Sequence, residues 1–176
     1  MGLDMYLSRR TTLMSGFHEQ NKRTKDSFKE LQVYGVDPQL VQTIEEEVGY
    51  WRKDNHIHQW FVDNVQDGED DCQKYWVSKE NLLKLKQTCE EVLKDPSKKE
   101  DLLPTEEGFF FGDTDYDEYY FEGLETTIKI IDRIFENEEE YVKIEDKIRE
   151  EMKDKKHGDD DSPPMVFRDY QYQSSW

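Results

Sequence analysis

The sequence predicts a single small α+β domain, with α/β as the neighbouring reading, in the order strand, helix, strand, helix, strand, helix. Three observations carry this. The first residues alternate apolar with polar or small positions, which is the period of a strand. Apolar residues recur at three- and four-residue spacing after Asp37, Ser78 and Thr114, which is the period of a helix. Short apolar runs bounded by turn residues separate those stretches. A chain of 176 residues is long enough for one core. The expected division is a core over 1–136, a charged helical extension over 137–157, and a linker with a docking tail over 158–176.

Met1–Leu7 reads as the first strand. Arg9 to Gly35 is polar and weakly periodic, with Asp26–Val33 short enough for either a helix or a strand. The chain then organises around Asp37–Gln66, read as one central helix. Asp37 suits an N-cap and Pro38 the first helical position. Val41, Ile44, Val48, Trp51, Val62 and Val65 form one apolar stripe and Tyr50, Ile57 and Phe61 a second, with Gly49 as a point of kinking. Asp67–Asp71 is a turn and Lys74–Val77 a short strand. Ser78 caps a helix to about Lys94, and Asp95-Pro96-Ser97 stops it. Three phenylalanines between Gly108 and Gly112 read as a strand buried on both faces. Beyond the N-cap region Thr114–Asp117, a helix carries Tyr120, Leu124, Thr127, Ile128, Ile131, Ile134 and Phe135. Glu138–Lys156 is nearly all charged, with a thin seam at Tyr141, Ile144, Ile148 and Met152 that suits an extension or a partner helix. His157–Pro164 is a linker by composition. Met165–Trp176 regains aromatic residues, so it should dock on its own body or on a second copy, making a homo-oligomer one expectation.

Composition narrows the function. The formal charge is −18, from 42 acidic and 24 basic residues. That disfavours direct nucleic-acid or anionic-membrane binding, which needs a basic field. It suits a partner with a basic groove. Hydrophobic residues are only 34% while aromatics reach 13%, so Trp, Tyr and Phe must serve the core and any binding surface together. Two cysteines are too few for a disulfide scaffold. Met1–Thr12 lacks an apolar h-region, and no run reaches membrane-spanning length, so a reducing cytoplasm is expected.

No constellation carries a recognisable catalytic motif, and no cofactor is expected. His56 and His58, two apart on a helix, diverge by about 200° and cannot chelate one metal together. Asp113, Asp115 and Asp117 open like a calcium loop but do not complete one, because Glu118 and Leu124 stand where that loop needs glycine and glutamate. No metal site is therefore expected. The most chemical-looking group is Glu47, Trp51, Asp54 and His58, which would share a helix face with Asn55 beside them. Its readings are a structural hydrogen-bond network, a ligand site, or acid–base apparatus. With Tyr50 and Arg52 added, this region is the candidate pocket for a nucleotide-like ligand. Candidate interaction residues are Asp70, Asp71, Asp159 and Asp160 on the acidic surface, and Phe167, Tyr170, Tyr172 and Trp176 in the tail.

Met1-Gly-Leu-Asp-Met-Tyr-Leu7 resembles the start of small uncharacterised proteins encoded by bacteriophages and prophages. So do Glu47-Val-Gly-Tyr-Trp-Arg-Lys-x-Asn-x-Ile-His-x-Trp-Phe-Val-x-Asn-Val-Gln66, Leu102-Leu-Pro-Thr-x-x-Gly-Phe-Phe-Phe-Gly112 and Tyr116-Asp-Glu-Tyr-Tyr120. The resemblance covers Met1–Leu7 and roughly Glu45–Phe135. It implies a phage setting and the host bacterial cytoplasm, and brings no activity with it. The leading expectation is an inhibitor that engages a host protein, such as a defence component, through an acidic surface. The alternatives are a sponge for a nucleotide-like molecule around Trp51–His58, and a small enzyme using Glu47, Asp54 and His58.

Overall fold

The computed structural model describes residues 2–13, 29–37, 40–152 and 166–176. Four strands form one antiparallel sheet in the order β2-β1-β4-β3. They are β1 (Asp4–Leu13), β2 (Thr43–Arg52), β3 (Tyr75–Val77) and β4 (Val166–Ser175). The helices are α1 (Asn55–Val65), α2 (Lys79–Lys94), the single turn α3 (Lys99–Leu102) and α4 (Glu118–Met152). Short 3-10 segments cover Lys29–Tyr34 and Pro96–Lys98. The chain is thus an α+β fold, but its order differs from simple alternation: two helices and a turn follow β3 before the last strand returns.

By contacts the chain divides into two units. The larger comprises Met1–Arg9, Glu46–Phe135 and Asp169–Trp176. Its core follows from strand alternation: Leu3, Met5 and Leu7 are buried while Asp4, Tyr6 and Ser8 are only half-buried. Those three join Trp51, Val77, Tyr170 and Tyr172 from the other strands. Against them pack Ile57, Trp60 and Phe61 of α1, Leu82, Leu85, Cys89 and Val92 of α2, and Tyr120, Leu124, Ile131 and Ile134 of α4. One sheet face covered by helices is a stable two-layer solution. The smaller unit comprises Arg10–Glu45 and Glu136–Arg168. Within it Arg168 pairs with Glu145 at 2.8 Å and lies 4.7 Å over the Tyr141 ring.

The central helix does not exist as one element. Thr43–Arg52 is strand β2, and the helix begins only at Asn55. Lys53 takes a left-handed backbone (φ 62°) that breaks the two apart. Val41, Ile44, Val48 and Trp51 mimic a helical stripe, but Thr43, Ile44, Val48, Tyr50 and Trp51 are also the β-branched and aromatic residues that strands favour. Gly49 is no kink. It lies where α4 crosses close to β2, and a Cβ there would stand 2.8 Å from Ile130 Cγ2.

The phenylalanine run is likewise a turn, not a buried strand. Phe111 N–H donates to the Gly108 carbonyl at 3.1 Å, Gly112 is left-handed (φ 96°), and Phe109 is 95% exposed. By contrast β3 and the Ser78 cap lie as expected. The Ser78 hydroxyl receives the Asn81 N–H, and Asn81 returns the contact to the Ser78 N–H, forming a capping box. Asp95 ends the helix and accepts from Ser97 N–H. The charged stretch continues α4 without a break through Met152.

Met165, Asp159 and Asp160 fall outside the described residues, as do Pro38, Asp26–Phe28 and the side chains of Ile148 and Met152. The tail from Val166 docks as strand β4 between β1 and β3, pairing Tyr172 with Tyr75 and Tyr170 with Val77. Tyr170 and Tyr172 are buried, whereas Phe167 and Trp176 remain 49% and 43% exposed. The chain's own body thus covers two of the four tail aromatics and leaves the other two half-exposed.

Candidate functional site

The β2–α1 turn, the loop from Thr105 to Asp117 and the first turns of α4 enclose a cavity of about 570 Å³. The turn contributes Arg52, Lys53, Asp54, Asn55 and His56. The loop contributes Thr105, Gly112, Asp113, Asp115 and Asp117. Tyr119, Tyr120, Glu122, Gly123 and Thr126 come from α4.

The strained turn at Lys53 exists because β2 ends at Arg52 while Lys53 N–H still donates to the Leu3 carbonyl at 2.8 Å. The chain must reverse within two residues to start α1. Asp54 then occupies the N-cap position, yet its side chain caps nothing, and its carbonyl alone receives the first amides, from Ile57 and His58. Its carboxylate turns toward α4 instead. A Cβ added at Gly123 would collide with Asp54 Oδ1 and stand 3.3 Å from His56 Cε1. Gly123 therefore opens the floor where the acid and the imidazole meet α4.

Both groups carry unusual proton affinities for one reason. Burial raises the Asp54 carboxyl to about 6, opposed by a hydrogen bond from the Arg52 backbone. Burial also lowers the His56 imidazole to about 3, so it is neutral at pH 7. His56 is 4% exposed and packs on the Tyr120 ring at 4.3 Å. Its Nε2 has no hydrogen-bond partner. A buried polar atom left without a partner costs roughly 1–3 kcal/mol, so its persistence requires a reason.

Asn55 holds the loop that roofs the cavity. Its Nδ2 donates to the carbonyls of Phe111 at 3.2 Å and Asp113 at 2.8 Å, and its Oδ1 accepts from Glu106 N–H at 3.0 Å. Asp117 caps α4 by accepting from the Tyr119 and Tyr120 amides, and Asp113 accepts from Asp115 N–H. Tyr120 donates its hydroxyl to the Leu103 carbonyl at 2.9 Å.

Of the seven candidate ligand residues, Arg52, Asp54 and Asn55 line this cavity, while Glu47, Tyr50, Trp51 and His58 do not. The shared helix face proposed for Glu47, Trp51, Asp54 and His58 dissolves with the helix that carried it. Glu47 is exposed on β2. Trp51 is core, its Nε1–H donating to Thr127 Oγ1 at 2.9 Å. Tyr50 lies on the surface and donates to Asp4. His58 is fully buried, with Nδ1 2.8 Å from the Tyr172 hydroxyl and Nε2 3.1 Å from Asp70. Because a carboxylate only accepts, Nε2–H donates to Asp70 and Nδ1 accepts from Tyr172 in the neutral ring. His58 thus ties β4 to α1.

Asp70 also accepts from Trp176 Nε1–H at 3.2 Å, and Asp71 from Gln73 N–H and the Tyr75 hydroxyl. These two acids hold local structure as well as contributing to surface charge. Sequence spacing weighs His56 as a metal ligand and, with Arg52 and Lys53, as positive charge for an anionic aromatic ligand; its place as a buried neutral ring was missed. The available signal was its place two residues after an acid at a strand-to-helix break. Among the described residues no three His, Cys, Asp or Glu side chains are placed to hold a metal ion, and no helix is long and apolar enough to cross a membrane. Cys72 and Cys89 are free thiols, and burial pushes the Cys89 thiol up. Neither a family model, nor a curated protein, nor a solved structure matches this chain.

Proposed function

We propose that the chain is a binding protein that takes a small polar ligand into the cavity between the β2–α1 turn and α4. The observation that carries this reading is His56: neutral, buried, lining the cavity and lacking a partner for Nε2. A ligand that hydrogen-bonds there removes the cost of the unmade bond. The cavity volume lies within the range of small-molecule sites, and its few convergent polar groups on a packed body are what such sites use.

Native mass spectrometry of the freshly purified chain tests this. The expected result is an added small mass that denaturation removes. Thr126→Trp, an exposed cavity-lining position on α4, should abolish that mass while the melting temperature holds. A chain that carries no added mass and gains none from metabolite mixtures contradicts the reading.

A second reading is favoured by the charge of −18. In it the chain acts in a phage-infected bacterium by occupying a basic groove of a host protein. Such docking is steered by the summed field and weakens with salt.

A further inference from the structure

The charges around the cavity select among small ligands, and this step rests on the reading that the cavity is a binding site. Five carboxylates line it, those of Asp54, Asp113, Asp115, Asp117 and Glu122, against the two cations Arg52 and Lys53. Arg52 already leans toward Asp4, with Nε 3.8 Å from Oδ1. The Lys53 stem lies along Gly2 and Gly112, its Cε 3.3 Å from a Cβ built on Gly2. Neither cation forms an ion pair with Asp54. Although Asp113 and Asp117 accept backbone amides, a carboxylate has about four acceptor sites, so both retain capacity. The floor adds the buried neutral ring of His56, whose Nε2 has no hydrogen-bond partner. Such a lining repels phosphate and offers acceptors to N–H donors.

We infer that the cavity takes a small organic cation rich in N–H groups, an alkylammonium or guanidinium, set against Asp54 with the neutral His56 ring beside it. The nucleotide-like ligand expected from the aromatic residues does not suit this lining. A bound cation gives the buried carboxylate the opposite charge it lacks. Binding below about pH 6 therefore expels a proton from Asp54. The other charged and titratable groups that line the cavity fit this: Arg52 and Lys53 sit at the end of β2 and on the turn, His56 on α1, the aspartates on the loop, and Tyr119, Tyr120 and Glu122 on α4.

The test is calorimetry of the full chain with putrescine, spermidine and agmatine, set against 1,4-butanediol, inorganic phosphate and AMP. One saturable site is expected for the amines and none for the neutral or anionic probes. Asp54→Asn should weaken the amines by about tenfold or more, the loss of one charge-assisted contact. Glu140→Gln, an exposed change of equal charge outside the cavity, should leave them unaltered. At pH 5.5, paired buffers of different ionisation enthalpy should report proton release from the wild type and none from Asp54→Asn. Equal weakening by both variants would mean attraction by the general field and overturns the inference. Binding of phosphate or AMP in place of amines would keep the site and overturn the ligand class. Silence from every probe, with no bound mass in the native spectrum, would remove the binding reading itself.

Discussion

Deleting Val166–Trp176 abolishes the cooperative unfolding transition instead of trimming a loose end. The segment is strand β4, an interior strand between β1 and β3. It brings buried Tyr170 and Tyr172 into the core, with Tyr172 stacked on Phe61 at 3.9 Å and an interplanar angle of 10°. Tyr172 also donates its hydroxyl to His58 Nδ1. Losing one large buried aromatic costs about 3–5 kcal/mol. Two of them, together with the ladder on both sides, reach the roughly 5–15 kcal/mol that holds a domain folded. Circular dichroism and thermal melts of the truncated chain check this. A retained sigmoidal melt within a few degrees of the full chain would show that β4 is an accessory strand.

Substitutions of Asp54 and His56 move the pH dependence of stability in opposite directions. The folded Asp54 keeps its proton up to about pH 6, whereas the unfolded carboxyl releases it near 3.8. Its contribution therefore falls as pH rises through that window and stays low above it. The folded His56 refuses a proton down to about pH 3, whereas the unfolded ring accepts one near 6.5. Its contribution falls as pH drops through that window. Between roughly pH 4 and 6 the two slopes oppose each other. Asp54→Asn should then stabilise the protein at pH 7 by about 2 kcal/mol, allowing for the solvent that reaches the group, which raises Tm by about 4–8 °C. His56→Gln should shrink the stability difference between pH 7 and pH 4 by about 3 kcal/mol, whatever its packing cost. Urea unfolding at pH 4, 5, 6 and 7 for the three proteins measures both. Parallel profiles would show that neither group is buried as described.

The sequence disclosed the parts whose signal is local. Leu3, Met5 and Leu7 alternate with polar neighbours, and Ser78 with Asn81 announces a helix start, so β1 and α2 could be read directly. Asp95-Pro96-Ser97 marks an end that no partner is needed to enforce. What stayed hidden depends on distant packing. Ile44, Val48 and Trp51 satisfy a helical period and a strand preference at once, and pairing with β1 decides for the strand. Phe109–Phe111 look buried by composition, but Gly108 and Gly112 turn the chain there and leave Phe109 in water. The tail announced that it docks, while its interior place in the sheet depends on strands β1 and β3, far away along the chain.

The candidate site was half legible for the same reason. Arg52, Asp54 and Asn55 were singled out on a helix face that does not form, and they meet at the cavity because β2 stops and α1 starts beside them. His56 becomes visible only when α4 passes over it with Gly123, a contact that spacing along one helix cannot announce.

The central claim is that His56 is a neutral ring with an unpartnered Nε2 at a ligand cavity, and nitrogen-detected NMR of the histidine rings tests it most directly. Among the four histidines, His56 is assigned by its loss in His56→Gln. The ring is expected to stay neutral at pH 4.5, and its unprotonated nitrogen to shift on addition of spermidine while the other rings hold still. A His56 ring that titrates near 6.5, or one that stays unmoved at saturating amine, would contradict it.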